Sequence, residues 1–156
     1  MRLSFSLTRR LKAPRRKVFR AVTEFDRLRE RFPGVFSSIR VVERSPHGAV
    51  TEESFEFLGV RLKQRSKHEM VEGKTHRVEV LTGDLAGTTI VEHYTDAPGR
   101  ETMVSVEARV ALRGLASLLP PVIVKPLVQA NLQRVLDEVE GYLERGSTAG
   151  SSARDG

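Results

Sequence analysis

Val122-Ile-Val-Lys-Pro-Leu-Val-Gln-Ala-Asn-Leu-Gln-Arg-Val-Leu-Asp-Glu-Val-Glu-Gly-Tyr-Leu-Glu-Arg145 decides the fold. Val128, Leu132, Val135, Val139 and Tyr142 recur at steps of three and four, and Leu136 and Leu143 widen the stripe. Gln133, Arg134, Asp137, Glu140 and Glu144 fill the opposite face. Such a segment is an amphipathic helix that must lay one side against a large apolar surface. Pro120, Pro121 and Pro126 crowd its start, where the first helical turn tolerates proline. Pro126 bends the helix if it falls inside. Gly146 is placed to stop it in a left-handed conformation. The predicted rod is roughly 36 Å long, at about 1.5 Å per residue, close to the width of a domain this size.

What precedes the rod is mostly strand. Leu3, Phe5 and Leu7 alternate with Arg2, Ser4 and Ser6, which predicts a half-buried strand over 2–8. Ala13-Pro14 opens a helix with Val18, Phe19, Val22 and Phe25 on its buried stripe. Asp26 is the expected cap of a short second helix, 27–31, ended by Phe32-Pro33-Gly34. From residue 35 the pattern is strand and turn. Strands are predicted over 35–43, 49–58, 60–71, 75–81, 88–95 and 101–112, with Gly59 the bend or bulge between the second and third of these. Short turns between consecutive strands predict an antiparallel sheet. Helices set to one side of it make the fold class α+β, a curved sheet of about seven strands wrapped around the last helix. Residues 1–146 are expected to form one domain. Ser147 to Gly156 is poor in apolar residues and reads as a disordered tail.

Composition excludes several function classes. A length of 156 residues suits one domain with a real core. No apolar run approaches the ~20 residues needed to cross a bilayer. The N-terminus alternates and lacks the apolar block of a secretion signal. The chain has no cysteine, which removes disulfides, thiolate metal sites and cysteine nucleophiles. It also accords with a cytoplasmic location. Four scattered histidines give no zinc spacing, so no metal is expected. No phosphate-cradling glycine loop is present, so no cofactor is expected either. Residues 1–31 hold eleven Lys or Arg against three acids, while the rest of the chain carries a net −2. A basic end can steer a protein to lipid headgroups, RNA or an acidic protein face, or it can simply be a solvated surface. Nucleic-acid readers interleave aromatics with their basic residues, whereas Phe19 and Phe25 fall on the apolar helical phase.

The stretch 60–71 speaks most directly to function. Arg61, Lys63, Arg65, Lys67 and Glu69 make a solvent face. Val60, Leu62, Gln64, Ser66, His68 and Met70 make an inner face that is apolar at its ends and polar in its middle. In a dry core each unpaired polar group would cost about 1–3 kcal/mol. Gln64, Ser66 and His68 must therefore pair with one another, reach water, or line a cavity. A cavity between a curved sheet and a long helix accommodates all three, and few polar groups in an apolar wall is the usual makeup of a small-molecule site. The expected lining is Leu62, Gln64, Ser66, His68, Val78, Val106, Val128, Asn131, Leu132 and Val135. Leu115, Leu118, Leu119 and Ile123, in the apolar lead-in to the last helix, are the expected gate. His68 is a candidate general base or a hydrogen-bonded wall residue. His76, on a face with Val78 and Val80, stands under the same two readings. The inward set of 88–95 is either Thr89, Val91 and His93, or Thr88, Ile90, Glu92 and Tyr94. No nucleophile–histidine–acid spacing and no placeable carboxylate pair is found, so no catalytic residue is assigned.

The element order, the Ala13-Pro14 helix start and the long final helix resemble the START-like superfamily, also called SRPBCC, Bet v 1-like or polyketide cyclase/dehydrase-like. Phe32-Pro33-Gly34 and Gly114-Leu115-Ala116-Ser117-Leu118-Leu119, with Gly83–Gly87 before a strand, look most like its carbon monoxide dehydrogenase G-subunit family. The resemblance covers residues 1–145. It implies a helix-grip fold, a seven-stranded antiparallel sheet around the C-terminal helix with a deep apolar cavity. It further implies a lipid-like, quinone-like or polyketide ligand, and contact with the inner membrane face or a redox enzyme. No residue here matches a catalytic motif of the cyclases. The reading that follows is a binding or carrier module for an apolar small molecule. The alternatives are a cyclase or dehydratase using His68 with Gln64, and an interaction module acting through the basic N-terminal helices on a ribosome or partner protein.

Overall fold

Short connections and alternating strands leave one economical arrangement, and the computed structural model has it. The structure describes the backbone of residues 1–154 and the side chains of all of these except 115, 116 and 147–154. The strands are β1 (Arg2–Leu11), β2 (Phe36–Ser45), β3 (Gly48–Phe57), β4 (Val60–Val71), β5 (Thr75–Val80), β6 (Thr89–Ala97) and β7 (Glu101–Ala111). They form a single antiparallel sheet in the order β1-β7-β6-β5-β4-β3-β2. Helix α1 (Arg15–Thr23), a 3₁₀ turn at Phe25–Arg27 and helix α2 (Leu28–Arg31) lie between β1 and β2. A second 3₁₀ turn, Gly114–Leu118, leads into helix α3 (Pro121–Arg154). This is the expected α+β helix-grip.

Register follows from turn chemistry. Phe57 pairs with Val60, so the β3–β4 hairpin has a two-residue loop, Leu58-Gly59. Both loop residues have positive φ, 52° and 79°, the twist that matches right-handed strands. Glycine meets that demand freely, whereas leucine does so at a steric cost. At Gly48 a side chain has no room: a Cβ there would lie 2.3 Å from the carbonyl oxygen of His68.

Two apolar clusters flank the space between sheet and helix. One gathers Phe19, Phe25, Phe32, Val104, Val139 and Leu143, and the other Phe5, Val80, Leu85, Val110, Val124 and Val128. Arg9 on β1 ties the sheet to α3 through Asp137 and Glu140, each at 2.8 Å, and through Gln133. These hydrogen bonds, with Asp137 foremost, raise the Arg9 guanidinium above its ordinary value.

Two local expectations are corrected. Asp26 caps no helix: residue Arg27 holds the cap position of α2 without a side-chain bond, and the Asp26 carboxylate accepts from Arg44 instead. An ion partner on β2 outcompetes the free amides of so short a helix. Gly146 remains helical and does not stop α3. Nothing touches the space where its side chain would be, so no packing forces a turn there. Pro126 does lie inside α3, where it cannot donate to the carbonyl of Val122. The expected tail, 147–156, falls outside the residues whose side chains are described. No helix among the described residues is long and apolar enough to cross a membrane.

Candidate functional site

Between the concave sheet and α3 lies a cavity of about 270 Å³. Alternation on the strands decides what faces it. On β4 the inward phase is Gln64, Ser66 and His68, with Leu62 toward the hairpin. On β5 it is His76, Val78 and Val80. Along 88–95 the open question resolves to Thr88, just ahead of β6, and to Ile90, Glu92 and Tyr94 on it, all of which meet the cavity. The helix α3 contributes Val128, Asn131, Leu132 and Val135, and the segment from the α1–α2 connection to the end of α2 contributes Phe25, Leu28 and Phe32.

Of the expected lining, Gln64, His68, Val78, Val106, Val128, Asn131, Leu132 and Val135 border this cavity. Ser66 is fully buried just behind it, hydrogen-bonded to Glu53. Leu62 packs at the edge of the cluster around Phe5 and Val80. The expected gate is placed elsewhere: Leu118, Leu119 and Ile123 are exposed and do not border the cavity. The side chain of Leu115 lies outside the described residues.

The polar residues of the sheet wall form a continuous hydrogen-bonded file across four strands. Glu53 on β3 accepts at one carboxylate oxygen from Ser66 and, at 3.0 Å, from Gln64. Its other oxygen is 2.5 Å from the hydroxyl of Thr51. That hydroxyl is 2.8 Å from Nε2 of His68. Nδ1 of His68 is 2.9 Å from Nε2 of His76, and Nδ1 of His76 is 2.5 Å from Glu92. Tyr94 donates its phenol proton to the same Glu92 oxygen at 3.0 Å. Thr51, Glu53, Ser66, His68, His76 and Tyr94 are all buried. Among the described residues no buried side-chain nitrogen or oxygen lacks a partner.

Burial sets the electrostatics. Desolvation first, then the neighbouring charge of His76, push the His68 imidazolium down from 6.5 to about 3, so His68 is neutral across the physiological range. Phe25 seals it, its ring centroid 4.3 Å from the imidazole. Tyr94 is pushed well above its ordinary value by burial, and further by the Glu92 carboxyl beside it, so it stays a donor. Among the described residues no three His, Asp or Glu converge as a metal site. The arrangement can hold an apolar molecule and offer it several fixed hydrogen-bond partners, two of them carboxyl groups.

Sequence reasoning missed Thr51 and Glu53. The signal was there: Ala49, Thr51, Glu53, Phe55 and Phe57 alternate, so an inward phase set by the two phenylalanines carries the glutamate inside. His76 and Glu92 could be placed together only once the register put them opposite each other on β5 and β6.

Solved structures agree with this fold. The chain is similar to the Zhui aromatase/cyclase from Streptomyces sp. R1128, at 15% identity and a TM-score of 0.80, covering 93% of this chain and 95% of that one. It is also similar to a START superfamily protein from Mycobacterium smegmatis, at 16% identity and a TM-score of 0.79, covering 91% and 97%. TTHA0849 from Thermus thermophilus superposes with a TM-score of 0.80 at 20% identity, covering 93% and 99%. No curated protein sequence matches the chain. The sequence model for polyketide cyclase / dehydrase and lipid transport proteins matches residues 2–144, nearly all of the sheet and the grip helix. The chain therefore belongs to the polyketide cyclase/dehydrase and lipid transport family.

Proposed function

We propose that this protein binds a neutral, mainly apolar small molecule in the cavity between the sheet and α3 and carries it in a fixed orientation. One observation supports this above others: the 270 Å³ space is walled mainly by Val, Leu, Ile and Phe side chains, with the polar file of β3–β6 along its sheet side. Apolar surface moved from water into such a wall gains about 25 cal/mol per Å². Gln64, Glu53 and His68 would fix the ligand's single polar group, because each already sits in a defined hydrogen-bonded position. Contact with a membrane face or with a carbon monoxide dehydrogenase-type enzyme rests on the resemblance to that enzyme's accessory family and on the basic N-terminal surface alone.

The experiment is native mass spectrometry of protein purified from a lipid-containing lysate, joined to titrations with a short-chain quinone and a fatty acid. Saturable 1:1 binding that is lost in Leu132→Trp, which fills the cavity, is the expected result. A protein that emerges empty and binds neither probe overturns the proposal.

The polar file favours a second reading, in which the bound molecule is also transformed by acid–base chemistry, as in a cyclase or dehydratase. His68 touches the cavity, and it does so as a neutral imidazole linked to two carboxyl groups, one on each side. Unchanged turnover of a candidate substrate by His68→Ala would remove His68 from that chemistry.

A further inference from the structure

We infer that the file Glu53–Thr51–His68–His76–Glu92 stores one mobile proton at neutral pH and passes it between the two carboxyl groups on the cavity wall. The inference comes from counting hydrogens. The file has four successive contacts, Glu53–Thr51, Thr51–His68, His68–His76 and His76–Glu92, at 2.5, 2.8, 2.9 and 2.5 Å. Each needs one hydrogen between its two heavy atoms, since two lone pairs would otherwise face each other in a buried site. With both carboxylates ionised and both imidazoles neutral, only three hydrogens are present: one on the threonine and one on each ring. The fourth contact has none.

One additional proton repairs the file, and with His68 kept neutral by its burial three placements fill every contact. With the proton on Glu53, Glu53 donates to Thr51, Thr51 to Nε2 of His68, Nδ1 of His68 to Nε2 of His76, and Nδ1 of His76 to Glu92. With the proton on His76, the imidazolium donates to Glu92 and to His68, His68 donates through Nε2 to Thr51, and Thr51 to Glu53. The third placement moves the shared proton from His76 onto Glu92. Passage from Glu53 to Glu92 breaks the Glu53 O–H as Thr51 gains that proton. Thr51 gives its own proton to Nε2 of His68, and His68 gives its Nδ1 proton to His76. His76 then releases its Nδ1 proton to Glu92. No electron moves and the total charge is unchanged. His68 serves as the link, never the store, in keeping with its strong preference for the neutral form.

The groups facing this file from neighbouring elements do not supply the missing hydrogen. Ser66 and Gln64 donate to the other Glu53 oxygen, and Tyr94 to Glu92, each with a hydrogen of its own. Phe25 covers the imidazole with a ring. Glu56, Asn131 and Arg134 border the same cavity, and among the described contacts none joins the file. Glu53 and Glu92 both border the space where a ligand would sit. A guest can therefore take a proton at one carboxyl and return one at the other. An anionic guest would meet two carboxyl groups, so the chemistry suits a neutral apolar molecule with a carbonyl oxygen. That use rests on the proposed ligand binding, whereas the stored proton does not, and it is tested without a ligand.

Thr51→Val keeps the side-chain shape and removes two of the four contacts. The two that remain need two hydrogens, which two neutral imidazoles provide, so the variant no longer requires the extra proton. Thr51→Ser keeps the hydroxyl and the requirement. The expected result is that Thr51→Val carries one more negative charge than wild type at pH 7 in a charge-ladder electrophoresis, and Thr51→Ser carries none. Wild-type histidine nitrogen NMR, with infrared detection of un-ionised glutamate, gives the same answer should Thr51→Val not fold. It is expected to show either a doubly protonated His76 or a carboxylic acid band that Glu53→Gln or Glu92→Gln abolishes. Equal charge in Thr51→Val and wild type overturns the inference. So do two singly protonated histidines with no carboxylic acid band.

Discussion

The cavity has two walls of opposite character. The helical wall, from α1, the Phe25–Arg27 turn, α2 and α3, is built of Val18, Val22, Phe25, Leu28, Leu132 and Leu136, with Asn131 and Arg134 at its margin. The sheet wall carries a file of eight polar residues, from Gln64 through Glu53 and the two histidines to Tyr94. The helical wall draws its contribution from apolar area removed from water, which is forgiving of detail. The sheet wall depends on every donor meeting an acceptor, and one missing partner leaves a buried group unpaired. The fold is held mainly by the first, and the polar groups that face the cavity are held in place by the second.

That contrast breaks most readily at the apolar contacts. Phe19 is 1% exposed and packs edge-on against Tyr94 at 5.3 Å. Phe19→Ala is expected to cost about 3–5 kcal/mol, read as a shift of the urea midpoint with an unchanged slope. A loss under about 1 kcal/mol would mean that packing there does not carry the fold.

The polar wall should answer to pH instead. His68 is held neutral down to about pH 3 in the fold, against 6.5 when exposed. The unfolded chain therefore binds a proton that the native state refuses as the pH falls through 6.5. Stability from this group is full above 6.5, declines from there toward 3, and is gone below 3, a change on the order of a few kcal/mol. In His68→Gln, parallel urea titrations at pH 7 and pH 4 should show that acid-dependent portion removed. An unchanged pH dependence would show that His68 is not desolvated.

A finer test separates orientation from affinity. Gln64→Leu removes from the sheet wall the amide that donates to Glu53 and Ser66. It should weaken a carbonyl-bearing probe by about three- to tenfold and leave a hydrocarbon probe of the same size unaffected. Equal weakening of both would mean that the site does not read the polar group. The smallest expected effect lies outside both walls. Leu58→Asn places a residue tolerant of left-handed backbone in the β3–β4 turn and should stabilise by up to about 1 kcal/mol without changing binding.

The architecture was legible because it rests on periodicity. The stripe Val128–Tyr142, the alternation of β4 and β7 and the short Gly-containing turns each name an element without help from the rest of the chain. The pocket was legible for a similar reason: three polar residues on the inner face of one strand need an explanation. The file itself was not, because its cross-strand contacts join residues 8 to 17 positions apart. Nothing local tells Glu92 that His76 stands opposite. Asp26 was misread for the same reason, since its partner Arg44 is distant in sequence.

The lid over the imidazole comes from a connection and not from the sheet. Phe25 sits in the single turn between α1 and α2, and its ring rests on His68. If that linker swings away, solvent reaches a base that had been kept dry, and its affinity for protons climbs at once. The dryness of that base thus rests in part on one aromatic ring that the connection holds in place.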